Sequence, residues 1–377
     1  MERRYQMCER CIMDTTDSEI TFDEKGVCNH CRKYDERIKN ELYCRMPDGK
    51  EKLEQLVGKI RKSGEGKEYD CIIGVSGGTD STMVAYLTKQ LGLRPLAVHM
   101  DNGWNTELAV SNIEKTLKTL GIELSTVVLD WEEFKDLQIS FLKASVANCE
   151  IPTDHAILAA LYRTAAHEGV RYILSGSNLV TEGIIPESWG YDAKDLRHLM
   201  AIHRKFGSVK LKKFPTLRFF DWVNYVLVRG IKFIPILNYV EYDKRKARKI
   251  LEEKIGWKDY GVKHGESVYT RFFQNYILPR KFNFDKRRAH LSTLICSEQI
   301  TREEAQDEIG KPPYASEREA QEDKEYVARK LALTEEKFDE IMALPVKTYK
   351  DYPNNRLLFS ELSFLVRLVK RRATHNY

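Results

Sequence analysis

A chain of 377 residues is longer than one usual domain and has material for a sizeable core. With 31% charged and 42% hydrophobic residues it has the balance of an ordinary globular protein, which excludes disorder as the default reading. A net charge of +5, with the first 70 residues near neutral, is too small to mark a nucleic-acid binder.

The opening Met-Glu-Arg-Arg-Tyr-Gln-Met-Cys lacks the apolar stretch of a secretory signal, so the expected location is cytoplasmic. In that reducing setting the pairs Cys8-x2-Cys11 and Cys28-x2-Cys31 favour a metal over disulfides, and four thiolates in two knuckles suit one tetrahedral Zn²⁺. A module this short buries too little apolar surface to fold alone, so the metal would supply most of its folding energy. A closed Cys₄ site has no open position for a substrate, and His30 is not needed to complete it. Cys71 falls in a strand, Cys44 and Cys296 read as isolated, and Cys149 is the one candidate reactive thiol.

From Tyr69 onward short apolar runs alternate with helical patterns, the signature of a parallel sheet with helices on both faces. Strands are predicted at Tyr69 to Val75, Pro95 to Met100, Leu124 to Leu129 and Arg171 to Leu174. Helices run through Met83, Val84, Leu87 and Leu91 to a stop at Gly92, and through Leu108, Ala109, Ile113, Leu117 and Leu120 to a stop at Gly121. Beyond Pro215 the pattern is mostly helical, with Trp222, Tyr225 and Val226 on one stripe and a strong helix over Arg245 to Lys254. The stretch Phe219 to Leu237 carries Asp221, Asn224, Arg229 and Lys232, fails as a membrane span, and reads as a pair of buried elements. The expected division is a zinc-binding module over 1–45, a nucleotide domain over 46–214 and a mostly helical region over 215–377.

The segment after the first strand, Ser76-Gly77-Gly78-Thr79-Asp80-Ser81, places two glycines and several hydroxyls at the start of a helix, which makes an anion site. No lysine follows the glycines, so the Walker geometry is excluded. Asp80 would repel phosphate unless a cation bridges them, which makes it a candidate Mg²⁺ ligand, or else a helix cap. This run resembles the PP-loop of the ATP pyrophosphatase superfamily, which includes asparagine synthetase, GMP synthetase and tRNA thiolation enzymes. The resemblance implies that ATP is cleaved between its α- and β-phosphates while AMP is joined to a carbonyl oxygen, and that a nitrogen or sulfur nucleophile then displaces it. It also implies nucleotide contacts from His99, Met100 and Asp101 after the second strand and from Ser175 and Gly176 after the fourth. Glu182 would help to hold Mg²⁺ or orient ammonia.

Three further stretches, Cys149 to Ala156, Gly256 to Ser267, and Tyr276 to Ser292, are similar to the N-acetyl sugar amidotransferases of surface polysaccharide and flagellin-glycan biosynthesis. That likeness extends over most of the chain, with local departures such as Gly265. It implies conversion of an acetamido group on a nucleotide-linked sugar to an acetamidino group, with ATP, Mg²⁺ and Zn²⁺ bound. It further implies ammonia from a separate glutaminase with a barrel partner resembling the two subunits of imidazole glycerol phosphate synthase, and leaves a homodimer open. Negative charge in the transition state calls for cations, so Lys263, Lys286, Arg287, Arg288 and His290 are candidates, with His264 beside them; the basic run is alternatively a solvated helix face. Asp154 and His155 would bind sugar hydroxyls or move protons, or Asp154 caps a helix. Two other readings stand beside this one: a tRNA thiolation enzyme using Cys149, and a non-catalytic ATP-binding scaffold of a polysaccharide enzyme complex.

Overall fold

The computed structural model describes residues 4–261 and 265–358. β1 (Cys71–Gly74), β2 (Pro95–Asp101), β3 (Glu123–Val128) and β4 (Tyr172–Ser175) lie where the apolar runs predict them, with ends shifted by a residue or two. A fifth strand, β5 (Lys232–Pro235), joins the free edge of β4. All pairings are parallel and the strand order is β3-β2-β1-β4-β5. The chain therefore moves outward from β1 through β2 to β3, then crosses back to place β4 on the other side of β1. The carboxyl ends of β1 and β4 flank this reversal, where loops diverge and leave a crevice.

Alternation along the strands divides the core in two. Ile72, Leu96, Val98 and Ile173 pack into one apolar cluster with residues of α5 (Trp131–Ala144) and α6 (Ile151–His167). Cys71, Ile73, Ala97 and Leu174 face the opposite cluster with residues of α2 (Gly49–Ser63), α3 (Thr79–Gln90) and α4 (Glu107–Leu120). Helices thus cover both faces. Gly121 adopts the left-handed conformation that closes α4, the role its position after Leu120 predicts.

The other α-helices are short: α1 (Asn29–Glu41), α7 (Leu179–Glu182), α8 (Leu196–Phe206) and α9 (Phe219–Val223), then α10 (Lys244–Ile255), α11 (Val268–Phe272), α12 (Leu278–Phe282), α13 (Arg287–Cys296), α14 (Arg302–Gly310), α15 (Glu317–Lys330) and α16 (Glu335–Ala343). The region beyond Pro215 is mostly helical. No described helix is long and apolar enough to cross a membrane.

The stretch Phe219 to Leu237 is not the pair of buried elements its composition suggests. Trp222, Tyr225 and Val226 pack on the core as one stripe, but Phe220 and Val228 are about four-fifths exposed and β5 is an outer strand. The polar residues that interrupt the run mark a one-sided surface helix followed by an edge.

The cysteine module is clamped to the C-terminal helices. Ile12 N–H donates to Ser292 Oγ at 3.2 Å, and Arg288 donates to Ile12 O at 2.9 Å. Arg302 donates to Cys8 O and Cys11 O. Arg288 also pairs at 3.2 Å with Asp14, whose carboxylate is fully buried. Arg288 is therefore a structural cation, not part of a substrate site. Removing one partner of a buried pair strands the other charge, so Arg288→Met should cost about 3 kcal/mol. Arg287→Met, which breaks a local pair with Asp285, should cost under about 1 kcal/mol; urea denaturation of both variants checks the contrast.

Candidate active site

The loop between β1 and α3 is shaped by Gly77, whose φ is +82°. A side chain there would place its Cβ 2.8 Å from Ala109 O and 2.9 Å from Tyr260 Oη. The Gly77 carbonyl turns away from the crevice and accepts from Trp257 Nε1 at 2.8 Å and Tyr260 Oη at 3.0 Å. Behind it Asn112 exchanges hydrogen bonds with the Lys258 backbone. Ser81 Oγ accepts from Ser76 N–H and donates to Gly78 O, tightening the turn. The first N–H groups of α3, which have no intrahelical acceptor, are left facing the crevice.

Two cavities meet at this loop. The smaller, about 270 Å³, is lined by Gly78, Thr79, Asp80, Glu182, Lys244 and Arg248 among others. The larger, about 920 Å³, runs from His99 and Met100 past Asp154 and Trp189 to Lys286. Ser76, Ser81, Ser175, Gly176, Ser177 and Glu266 border both. Gly176 packs against the loop itself: a Cβ would sit 3.1–3.2 Å from the Asp80 and Ser81 backbone. In the smaller cavity Asp80 accepts from Tyr242 Oη and lies 3.7 Å from Lys244 Nζ, while Arg248 pairs with Asp259 at 2.8 Å. Lys244, Arg248, Tyr242 and Tyr260 are not foreseen in the sequence; the clue available there was the helix Arg245 to Lys254, whose basic first turn starts after Asp243.

His99 Nδ1 bonds to Val75 O and Nε2 to the Asn105 amide, which fixes the orientation of the ring beside the loop. Asp101 serves a turn, accepting from Gly103 N–H, and Asn102 takes its place in the lining.

α6 carries the acids of the larger cavity. Pro152 in its first turn starts the helix after Glu150, which holds the cap position, so Asp154 lies within the first turn and is not a cap. Asp154 is open to the cavity, and desolvation by the protein around it pushes its carboxyl up to about 6 despite Lys286 nearby. Glu150, absent from the sequence candidates, lines the same wall and accepts from Thr270 Oγ1 at 3.1 Å. Enclosure and then Asp154 push its carboxyl up to about 8.

Several candidates lie elsewhere. His155 is fully buried, its Nδ1 donating to Ala193 O at 2.6 Å and its Nε2 accepting from Leu217 N–H at 2.9 Å. It holds two loops together and cannot meet a sugar. Arg287 is taken up by Asp285 and Lys311 O, Arg288 by the cysteine module, and His290 is buried within α13. Of that basic run Lys286 alone lines the cavity. Arg287 and Arg288 follow Lys286 by one and two positions and so point to other sides of the helix, while His290, on the same side as Lys286, is buried inside. Lys263 and His264 lie outside the described residues. Cys149 is enclosed, donates to Val146 O at 3.3 Å, and has its thiol pushed up to about 12 by burial, which removes the reactive thiol that the thiolation reading needs.

Cys8, Cys11, Cys28 and Cys31 are fully buried with all four sulfurs within 4.8 Å of one another. Their closest S···S separations are 3.7–3.9 Å, and an ion with bonds of about 2.3 Å in a tetrahedron requires about 3.8 Å. The donor set fits Zn²⁺. Backbone N–H groups of Cys11, Met13 and Cys28 point at these sulfurs, as thiolates would favour. Cys296 is not isolated: its sulfur lies 3.7 Å from that of Cys31, which brings α13 against the cluster.

Residues 50–145 match the NAD synthase family, and residues 266–367 match the family described as "LPS biosynthesis protein WbpG-like, C-terminal domain". The chain joins a PP-loop domain to a WbpG-like domain. An uncharacterized protein of Methanocaldococcus jannaschii, MJ1599, is 23% identical over 317 residues, which cover 81% of this chain and 93% of that one. Among solved structures, an NH3-dependent NAD synthetase from Campylobacter jejuni is 16% identical with a TM-score of 0.29, covering 55% of this chain and 84% of that one. The NMN synthetase from Francisella tularensis is 15% identical with a TM-score of 0.29, covering 60% and 93%. The WbpG-like domain supplies part of the lining of the larger cavity through Glu266, Thr270, Gln274 and Lys286, and Glu266 reaches the PP-loop beside Gly78.

Gly77→Ala should weaken ATP binding at least about tenfold by calorimetry, because the added methyl meets backbone at a φ that alanine resists. A second expectation concerns pH. Glu150 holds its proton more tightly in the fold than its ordinary value near 4.5 allows, so the folded state binds more protons than the unfolded and loses stability as pH rises through about 8. Glu150→Gln, which cannot ionise, should therefore show a smaller fall in Tm between about pH 5 and about pH 9 than the wild type.

Proposed function

We propose that this chain is an ATP-dependent amidotransferase that turns the acetamido group of a nucleotide-linked sugar into an acetamidino group in surface polysaccharide or flagellin-glycan biosynthesis. The observation that carries the proposal is the pairing of a PP-loop with a cavity that a WbpG-like domain helps to line. Such a cavity, of about 920 Å³, has room for a ligand larger than ammonia beside the nucleotide.

An amide oxygen is a poor leaving group and an amide carbon a weak electrophile, so amidine formation needs the oxygen converted first to an adenylate. In this reading the backbone N–H groups of Thr79, Asp80 and Ser81, with Lys244 and Arg248, hold the phosphates in the smaller cavity. Asp80 and Glu182, carboxylates on that same wall, would hold Mg²⁺, which would neutralise the charge of the departing pyrophosphate. The acetamido oxygen approaches the α-phosphate from the larger cavity across Ser76 and Ser81. Ammonia then displaces AMP. No cysteine lining either cavity offers a glutaminase nucleophile among the described residues, which supports a separate glutaminase with a barrel partner as the ammonia source. The cytoplasm is where such a partner and ATP are available.

The protein incubated with ATP, Mg²⁺, an ammonium salt and a panel of UDP- and CMP-acetamido sugars should release AMP and give a product lighter by the difference between oxygen and NH. Asp80→Ala should lower AMP release by about 100-fold or more. AMP and pyrophosphate release that Asp80→Ala leaves unchanged would show that the loop is not catalytic, and no AMP with any acetamido sugar would overturn the substrate assignment.

A further inference from the structure

A nitrogen that adds to an adenylated amide carbon becomes positively charged and must shed a proton before AMP leaves. When ammonium is the source, one proton must be lost earlier still, because only the free base has a lone pair to donate. Both protons need an acceptor in the cavity that holds the acetamido group.

The titratable groups of that cavity are few and most are committed. His99 has both ring nitrogens engaged by Val75 O and Asn105. Glu187 is paired with Lys33 and Arg356, and Asp192 with Lys194. Tyr191 donates to Asp195. Glu266 borders the phosphate cavity and belongs to that charge balance. Glu150 and Asp154 remain, set at i and i+4 on the first turn of α6 so that both carboxyls lie on one face. Thr270 of the WbpG-like domain lies beside Glu150 and donates to it at 3.1 Å, and Ser267 Oγ lies 3.0 Å from Thr270 Oγ1. Lys286 is the cation that acts on both acids, with Glu266 acting on Glu150 and Glu182 on Asp154.

We infer that Glu150 and Asp154 form a carboxyl pair that accepts the protons shed by the nitrogen nucleophile, so that this wall of the larger cavity is the ammonium-handling side of the active site. The inference rests on the amidotransferase reading above. The balance is direct. Ammonium gives one proton to the ionised carboxylate of the pair, which passes it to solvent, and becomes ammonia; its lone pair forms the new C–N bond as the C=N π pair of the adenylated amide moves onto the amide nitrogen; the resulting C–NH₃⁺ gives the second proton to the carboxylate, ionised again; the C–O bond to AMP then breaks, with its electron pair leaving on the phosphate oxygen. The carboxyls return both protons to solvent or to the departing phosphates. A pair of acids that hold their first proton near neutral pH is suited to this exchange, and desolvation by the protein around them provides that condition.

The test uses the full chain, a productive acetamido sugar, and the variants Glu150→Gln and Asp154→Asn. Exchange of labelled pyrophosphate into ATP, measured without a nitrogen source, reads the adenylation step alone and reports a folded site. Ammonium-dependent AMP release reads the whole reaction, and the same assay with hydroxylamine supplies a nitrogen that is already unprotonated near neutral pH. Each variant should keep exchange within about threefold, lose about 100-fold in ammonium-dependent turnover, and recover most of it with hydroxylamine or at higher pH. Variants that turn over ammonium at the wild-type rate with the wild-type pH profile would overturn the inference. So would variants in which exchange and turnover fall together, since the acids would then be holding the acceptor. A wild-type protein that exchanges pyrophosphate with no acetamido sugar removes the amidotransferase reading, and the inference with it.

Discussion

Everything at the active site depends on which way one peptide group points. The carbonyl of Gly77 is held outward by an indole N–H and a phenol, both from the stretch that follows α10, and its φ of +82° is open to glycine and strained for any other residue. With that carbonyl removed from the crevice, the amides that follow can converge on an anion without an opposing oxygen. A phosphate loop is usually described by its own residues, but here its conformation is set by Trp257 and Tyr260, more than 170 positions later in the chain. The PP-loop and the C-terminal half cannot be built independently.

The same interdependence recurs at the N-terminus. A Cys₄ cluster that would be a detachable bead in isolation is tied by Arg288, Ser292 and Arg302 to α13 and α14, and Cys296 presses on Cys31 from the same side. The residue after Cys296, Ser297, donates to Val180 O in α7, the helix that carries Glu182 into the phosphate cavity. A continuous set of contacts therefore runs from the four clustered sulfurs to a carboxylate of the smaller cavity. α13, which packs on those sulfurs through Cys296, is the helix that follows Lys286.

What the sequence makes legible is whatever is local. Strand, glycine turn and helix onset sit within a dozen residues in the PP-loop, and the cysteine knuckles are each four residues long, so their chemistry can be read without the fold. Sequence alone does not separate Lys286 from Arg287, Arg288 and His290: the two arginines point to other sides of the helix, and His290, one turn on from Lys286, differs from it by burial. His155 illustrates the opposite limit: a histidine beside an acid at a helix start looks like a proton-transfer pair, and only the closing of Leu217 and Ala193 around it reveals a core bridge. Glu150 was overlooked because nothing in its neighbourhood along the chain announces enclosure. The hydroxyl that meets it, on Thr270, comes from 120 residues away. β5 was missed for a related reason, as an edge strand of four residues lacks the run of buried apolar side chains that marks β1 and β4.

The shared border of the two cavities has a consequence for the order of events. Ser76, Ser81 and Gly176 form a sill with the small polar chamber on one side and the large one on the other. Under the proposed reaction the pyrophosphate departs from the small chamber while the activated sugar stays behind the sill, so the first product need not pass the second substrate. The activated intermediate then stays in the larger chamber, where the nitrogen nucleophile can meet it while the first product leaves from the smaller one.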